Sequence, residues 1–337
     1  MSLSKGGGMN PLDKLEQELK YINKTEFGRR AFLGALPVLL ASCATSRHRQ
    51  REGDNTGQAT SLSVEDEKKM TQEYIPKMRK DYPPLKSDKI QHYIASLGRK
   101  IASKNGLEGK PYNYNFSVVD TKMINAFALP AGTIYVTAPL IEMAETESEL
   151  AGVIGHEIGH VKARHTAERI DKAKKEQKKS LLYGLGGALL GGLAGYGLGK
   201  LVCSPQNREC LRRMTKYGSM AGAGGALLIQ KYAFMANSRE DEMEADRIGF
   251  RTSVGAGYHS DHVGRFYKKL LEMEKKYNRN KNSILTSFAD AMSTHPPSEE
   301  RVQQMDKMSR KWPSPKRAVV STKEFEEIKK TIKKLKG

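Results

Sequence analysis

The stretch VIGHEIGHVKARH, residues 153–165, sets His156 and His160 four residues apart with Glu157 directly after the first. On an α-helix that spacing leaves two side chains about 40° apart around the axis and about 6 Å apart along it. Both imidazoles can then aim a ring nitrogen at one metal ion. Glu157 stands beside them, in reach of a water on that metal, whose proton it can take and later deliver to a leaving amine. Zinc suits two imidazoles and a water, because it lowers the pKa of the water. The competing reading is a solvated helix that carries the pattern by chance, and the surrounding sequence has to decide between them.

A zinc site of this kind needs a third protein ligand. Ala163 and Thr166 stand where a metzincin requires Gly and His. His165 lies five residues past His160, about 140° further round a continuous helix. It is therefore expected to face away, as a surface histidine or one that supports a ligand. NSREDEMEADRIGF, residues 237–250, is the better source. Glu242 and Asp246 share one face of the helix expected there, so one carboxylate can bind zinc while the other orients a ligating imidazole through its free N–H. Glu240 and Glu244 are rivals by residue type. In a chain with net charge +19, such a local cluster of acids asks for a local cation.

The elements that must hold these groups can be placed in outline. Ser63 and Asp66 have capping-box spacing ahead of a helix, and Pro83-Pro84 breaks the chain after it. From Ser87 a second helix carries Ile90, Ile94, Leu97 and Ile101 on one face. YNFSVVD reads as a strand, and FALPAGTIYVT as two short extended pieces about a Pro130-Ala131-Gly132 turn. Thr133–Thr137 is either an edge strand, to which a peptide can add, or an internal strand without a free edge. A helix around 138–144 precedes the long one that starts near Glu147. In the tail, Ser321 and Glu324 have capping-box spacing, and Phe325, Ile328, Ile332 and Leu335 share one face among lysines. That stripe either meets an anionic membrane or packs on the body.

The chain of 337 residues, 38% hydrophobic, suffices for one or two packed domains. Its 57 basic against 38 acidic residues favour anionic partners. Nucleic acid is not expected: no zinc-finger spacing, Walker loop or basic stretch interleaved with aromatics accompanies the charge. FGRRAFLGALPVLLASC instead reads as an export signal, with the Arg29-Arg30 pair ahead of an apolar run too short to span a bilayer. Leu40-Ala41-Ser42-Cys43 resembles a lipobox, and Arg29-Arg30 with Phe32-Leu33 resembles a twin-arginine signal. Residues 1–42 are thus expected to be a signal peptide, Cys43 to be acylated, and 43–62 to be a flexible tether. In an oxidising periplasm Cys203 and Cys210 are expected to close a disulfide.

INAFALPAGTIYV (124–136), ELAGVIGHEIGHVKARH (149–165), SREDEMEADRIG (238–249) and THPPSEER (294–301) resemble the zinc endopeptidase family of HtpX and the CAAX prenyl proteases. Within it they are most similar to the periplasmic lipoprotein branch of BepA and LoiP. The resemblance covers roughly residues 63–310. It implies an α+β, mostly helical gluzincin fold with a small sheet, Zn2+ held by His156, His160 and Glu242, Glu157 as the base, and Asp246 supporting a ligand. His295 matches a family histidine near the metal, where it either stabilises the oxyanion or closes the open zinc position. No helical-repeat domain is expected after the peptidase in this sequence, which departs from BepA-like members.

The expected organisation is a peptidase domain over 63–315 and a basic amphipathic tail over 316–337. LLYGLGGALLGGLAGYGLG, residues 181–199, carries no charge and a glycine at every fourth position from Gly187. A single span there would put two ligands of one zinc on opposite sides of a bilayer. Residues 181–235 are therefore expected to form an inserted glycine-packed hairpin. The expected function is a lipid-anchored, periplasm-facing zinc endopeptidase on the outer membrane, acting on misfolded or misassembled envelope proteins. The alternative is a chaperone-like binding lipoprotein whose metal site is plugged.

Overall fold

The computed structural model describes residues 50–109, 111–182, 237–279 and 293–336. The leader, Cys43, the Cys203–Cys210 pair and all but the first two residues of the expected glycine-rich hairpin lie outside the described residues.

Helix α1 (Val64–Asp81) begins with the expected capping box, in which Ser63 and Asp66 each bind the other's backbone N–H. Helix α2 (Asp88–Lys104) turns Ile90, Ile94, Leu97 and Ile101 into the core. A three-stranded sheet follows, of β1 (Asn115–Val119), β2 (Ala126–Ala128) and β3 (Thr133–Thr137), in the order β1-β3-β2. Strand β3 runs parallel to β1 and antiparallel to β2. Of the two placements open to Thr133–Thr137, the internal one holds. Four successive residues of β3 are buried, which marks a strand covered on both faces. The edge beside the site is β2 instead.

After the sheet come α3 (Ala138–Met143), α4 (Glu147–Lys162), α5 (His165–Leu182), α6 (Arg239–Gly255), α7 (Ser260–Val263), α8 (Arg265–Arg279), α9 (Glu299–Lys311) and α10 (Lys323–Lys336). Helix α4 is the axis of the molecule. From Glu147 to Val161 every residue is buried. Leu150, Ile154 and Ile158 are fully buried, each stabilising the core by about 1.5–3 kcal/mol.

Helix α6 lies against α4 at a spacing that only glycine permits. A Cβ on Gly155 would stand 2.6 Å from the Gly249 carbonyl oxygen, and one on Gly249 would stand 2.5 Å from the His156 backbone nitrogen. This contact sets the two acid- and histidine-bearing helices side by side.

The tail belongs to the same core. Phe325, Ile328 and Ile332 of α10 are buried against α2 and α3, so the apolar stripe packs on the body. Leu335, expected on the same stripe, is 54% exposed. Thr322, not Ser321, caps this helix, because its Oγ1 accepts the Phe325 N–H. Ser321 is drawn away to accept the Glu147 N–H at the head of α4.

A flexible tether does not describe residues 50–62. Asn55 and Gln58 donate to the Lys162 and Ala163 carbonyls, and Ser61 donates to Asp171. A helix end leaves its last carbonyls without intrahelical donors, and the Asn55 and Gln58 side chains donate to those of α4. Among the described residues no helix is long and apolar enough to cross a membrane.

Candidate metal centre

Helix α4 presents His156 and His160 from successive turns, and α6 presents Glu242 opposite them. The His156 and His160 Nε2 atoms are 2.9 Å apart. Glu242 brings one oxygen 3.3 Å from the first and the other 3.2 Å from the second. His295, from the loop before α9, adds its Nδ1 3.2 Å from His156 Nε2 and 3.1 Å from Glu242. One donor atom from each of these four residues falls within 4.8 Å of all the others. Glu157 is 2% exposed, with its Oε1 3.5 Å from His295 Nε2.

The far nitrogens of the two helix histidines each face a polar partner. His156 Nδ1 lies 2.8 Å from Asp246, as expected for a carboxylate that orients a ligating ring. Asp246 is gripped by the Arg301 guanidinium through two contacts of 2.7 Å. His160 Nδ1 lies 2.8 Å from His165 Nδ1, while His165 Nε2 lies 3.1 Å from Glu244. With its Nε2–H donated to Glu244, a neutral His165 can only accept at Nδ1, so His160 donates there. With both rings neutral the two Nε2 lone pairs would face each other at hydrogen-bond distance. A proton kept on His156 or a metal ion between them relieves that, and the donor set of imidazoles plus one carboxylate is one that zinc takes.

The electrostatics agree. Burial opposes charge on His156, yet the Glu242 and Asp246 carboxylates prevail and lift its pKa to about 9. Burial and the neighbouring His156 hold His160 well below the usual histidine range. Burial would raise Glu242, but Arg301, His295 and the two helix histidines together keep it well below the usual carboxylate range. One cationic charge is thus already retained among the metal-free donors, where a metal would take its place.

His165 takes the second of its two expected places, in support of a ligand candidate, but it does not face away: it is fully buried, 2.8 Å from His160. The 140° argument assumed one continuous helix, but α4 ends at Lys162 and Arg164 takes φ +54. That left-handed residue reverses the chain and lets α5 restart at His165. Arg164 is held there by Glu67 of α1, at 2.7 Å from its Nε. Of the rival acids, Glu244 serves His165 and Glu240 is exposed.

Three further groups carry no role in the sequence reading. Arg301 is 2% exposed and also touches Glu242 at 2.7 Å. Asn237 donates to Glu242 at 2.6 Å and to the Thr294 carbonyl, tying the His295 loop to the head of α6. Tyr267 of α8 lies under the Arg301 guanidinium, 4.7 Å from its ring centre. Beside these residues a small cleft is lined by Ala126, Leu140, Val153, Phe266 and Leu270 and reaches His156, Glu157 and His295.

The family described as peptidase family M48 matches residues 88–309, about two thirds of the chain. The beta-barrel assembly-enhancing protease of Escherichia coli (strain K12) is 27% identical over 231 residues, which are 68% of this chain and 43% of that protein. The mitochondrial metalloendopeptidase OMA1 of Saccharomyces cerevisiae is 27% identical over 183 residues, 54% of this chain and 43% of that protein. The metalloprotease LoiP of Escherichia coli is 29% identical over 153 residues, 42% of this chain and 60% of that protein. The chain thus spans less than half the length of the first of these relatives.

Proposed function

The chain belongs to peptidase family M48, a family of metalloproteases, and from that premise we propose that it is a zinc-dependent endopeptidase of the cell envelope. The observation that carries this reading is the convergence of His156, His160 and Glu242 donor atoms, each backed by its own partner, with Glu157 beside them.

Zinc, when bound by His156, His160 and Glu242, supplies a Lewis acid that acidifies a water and polarises the scissile carbonyl. Glu157 takes the proton of the attacking water on its carboxylate and passes it to the leaving amine. Asp246 and His165 hold the two rings with their Nε2 lone pairs facing inward. The apolar lining of the cleft beside Glu157 suits an apolar side chain of the substrate, and β2 offers the strand edge along which an extended peptide can lie. Such recognition reads exposed backbone and an apolar residue, which suits misfolded or misassembled envelope proteins.

The leader, the lipobox-like Leu40-Ala41-Ser42-Cys43 and the positive charge support an acyl anchor at Cys43 on an anionic membrane face, with the peptidase in the periplasm. The outer membrane is the reading we favour for that anchor. Eight chain steps separate Cys43 from Arg51, so such an anchor would keep Arg51 within about 28 Å of the lipid.

One observation favours a second reading. His295 stands where a fourth ligand would, which suits a plugged site that binds clients without cutting them. The two readings separate in one experiment, the digestion of an unfolded protein by zinc-loaded wild type, Glu157→Gln and His295→Ala. Wild type is expected to cleave, and Glu157→Gln to keep one zinc per chain while losing at least a hundredfold in rate. Equal rates for these two would end the proposed mechanism. A faster His295→Ala makes His295 a gate, and a slower one makes it a donor to the oxyanion. Should none of the three cleave with zinc bound, the binding reading replaces the enzyme.

A further inference from the structure

We infer that the strap of Arg51, Glu52 and Gly53 is a positioning element of the metal site, acting on His160 through Glu244 and His165. The inference rests on the zinc reading above and adds to it residues that precede the family-matched region 88–309.

Glu244 is fully buried, and its partners account for both oxygens. Oε1 accepts the backbone N–H groups of Glu52 and Gly53, each at 2.8 Å. Oε2 meets Arg51 Nη1 at 3.2 Å and His165 Nε2 at 3.1 Å. Two successive N–H groups reach one oxygen because the strap is wound unusually. Glu52 has φ +114 and Gly53 φ +75. Two successive N–H groups that converge on one oxygen make a nest of donors for an anion. For Glu52, a residue with a Cβ, that backbone is disfavoured and persists only where its surroundings impose it.

The surroundings tie the strap to both ligand-bearing helices. The Glu52 carboxylate pairs with Arg247 and Arg251 of α6. Asn55 and Gln58 hold the last carbonyls of α4, and Arg51 also pairs with Asp241 of α6 at 2.8 Å. The result is a chain of contacts from the strap backbone to Glu244, to His165, to the Nδ1 of His160. With Glu244 held in place, His165 presents Nε2–H to it and a lone pair at Nδ1 to His160. His160 must then donate at Nδ1, which leaves its Nε2 free for the metal. Without the nest, Glu244 loses both donors on Oε1, and the support it gives His165, and through it the His160 ring, is loosened.

The test compares two substitutions at one position, in the Glu157→Gln protein so that cleavage plays no part. Glu52→Pro removes the N–H and cannot adopt φ +114, whereas Glu52→Gly keeps the N–H and favours that backbone. Both lose the carboxylate pairs with α6. Zinc dissociation constants are read by competition with a chromophoric chelator, and the ligand field by the visible spectrum of the cobalt-substituted protein. Glu52→Pro is expected to weaken zinc about 10- to 100-fold and to shift the cobalt bands, with Glu52→Gly within about twofold of its parent.

A folded Glu52→Pro protein with the parental constant and spectrum overturns the inference. So does a Glu52→Gly protein as weak as Glu52→Pro, since surface charge rather than the nest would then be responsible. Should Glu52→Pro fail to fold, Arg51→Met removes one partner of Glu244 from a half-exposed position and is expected to weaken zinc about threefold. An unchanged constant there overturns the inference equally. A parent protein that holds no zinc sinks the zinc reading itself, and this inference with it.

Discussion

The two histidines of α4 are supported in different ways, and the difference separates what the fold makes rigid from what the N-terminal segment supplies. Behind His156 stands Asp246, locked by Arg301 in a contact where both residues are almost wholly buried. Behind His160 stands His165, then Glu244, then the backbone of a strap whose Arg51 side chain is 30% exposed. The first support is a buried ion pair between two helices of the core. The second ends on a segment that chain order puts directly after the expected acylation site. By these contacts a perturbation of Arg51, Glu52 or Gly53 would reach His160 before His156.

The largest effect is expected on the His156 side. Arg301→Ala would leave the Asp246 and Glu242 carboxylates buried without their guanidinium, which costs about 3–5 kcal/mol. Urea unfolding of the metal-free protein measures it, and a loss under about 1 kcal/mol would mean that water already reaches the pair. Next is the contrast between supports. Asp246→Asn is expected to weaken zinc about 10- to 100-fold, and Glu244→Gln, which keeps an oxygen for the nest, by about tenfold or less. Chelator competition on both variants decides it, and the reverse order would make the strap side dominant.

The pH dependence sharpens the same comparison, since of the two helix histidines His156 has its pKa raised and His160 has it lowered. In the metal-free protein that of His156 is raised to about 9, while that of His160 is held low. Below pH 9 zinc must therefore displace one proton, and above it none. Calorimetry in buffers of different ionisation enthalpy should show close to one proton released per zinc at pH 7.5. Apparent affinity should rise by up to tenfold per pH unit and level off near pH 9. Two protons released at pH 7.5 would place a charge on His160 as well.

How far the sequence discloses this arrangement depends on the range of the forces involved. His156, Glu157 and His160 are legible because helical geometry is local, and four-residue spacing fixes their common face. Asp246 is legible as a partner to Glu242 for the same reason. His165 is misplaced because the helix ends where Glu67, about a hundred residues earlier, secures Arg164 in a left-handed turn. Nothing within VKARH announces that end. Arg301 is hidden differently: arginine is ordinarily exposed, and only the folded core shows two carboxylates waiting for it. The strap leaves the faintest trace of all, because it acts through backbone N–H groups, which every residue but proline possesses. Glycine at position 53 is its one mark in the sequence. The internal place of β3 depends on pairing with β1 and β2, and its five residues fit an edge or a centre equally well.

The central claim is that the inward-facing nitrogens of His156 and His160 share one zinc with Glu242. X-ray absorption of the zinc-loaded Glu157→Gln protein tests it most directly, because it reads the ligand atoms themselves. The account predicts a first shell of nitrogen and oxygen alone at about 2.0–2.1 Å, with the outer scattering of at least two imidazoles. A sulfur shell near about 2.3 Å, or zinc without imidazole scattering, would contradict it.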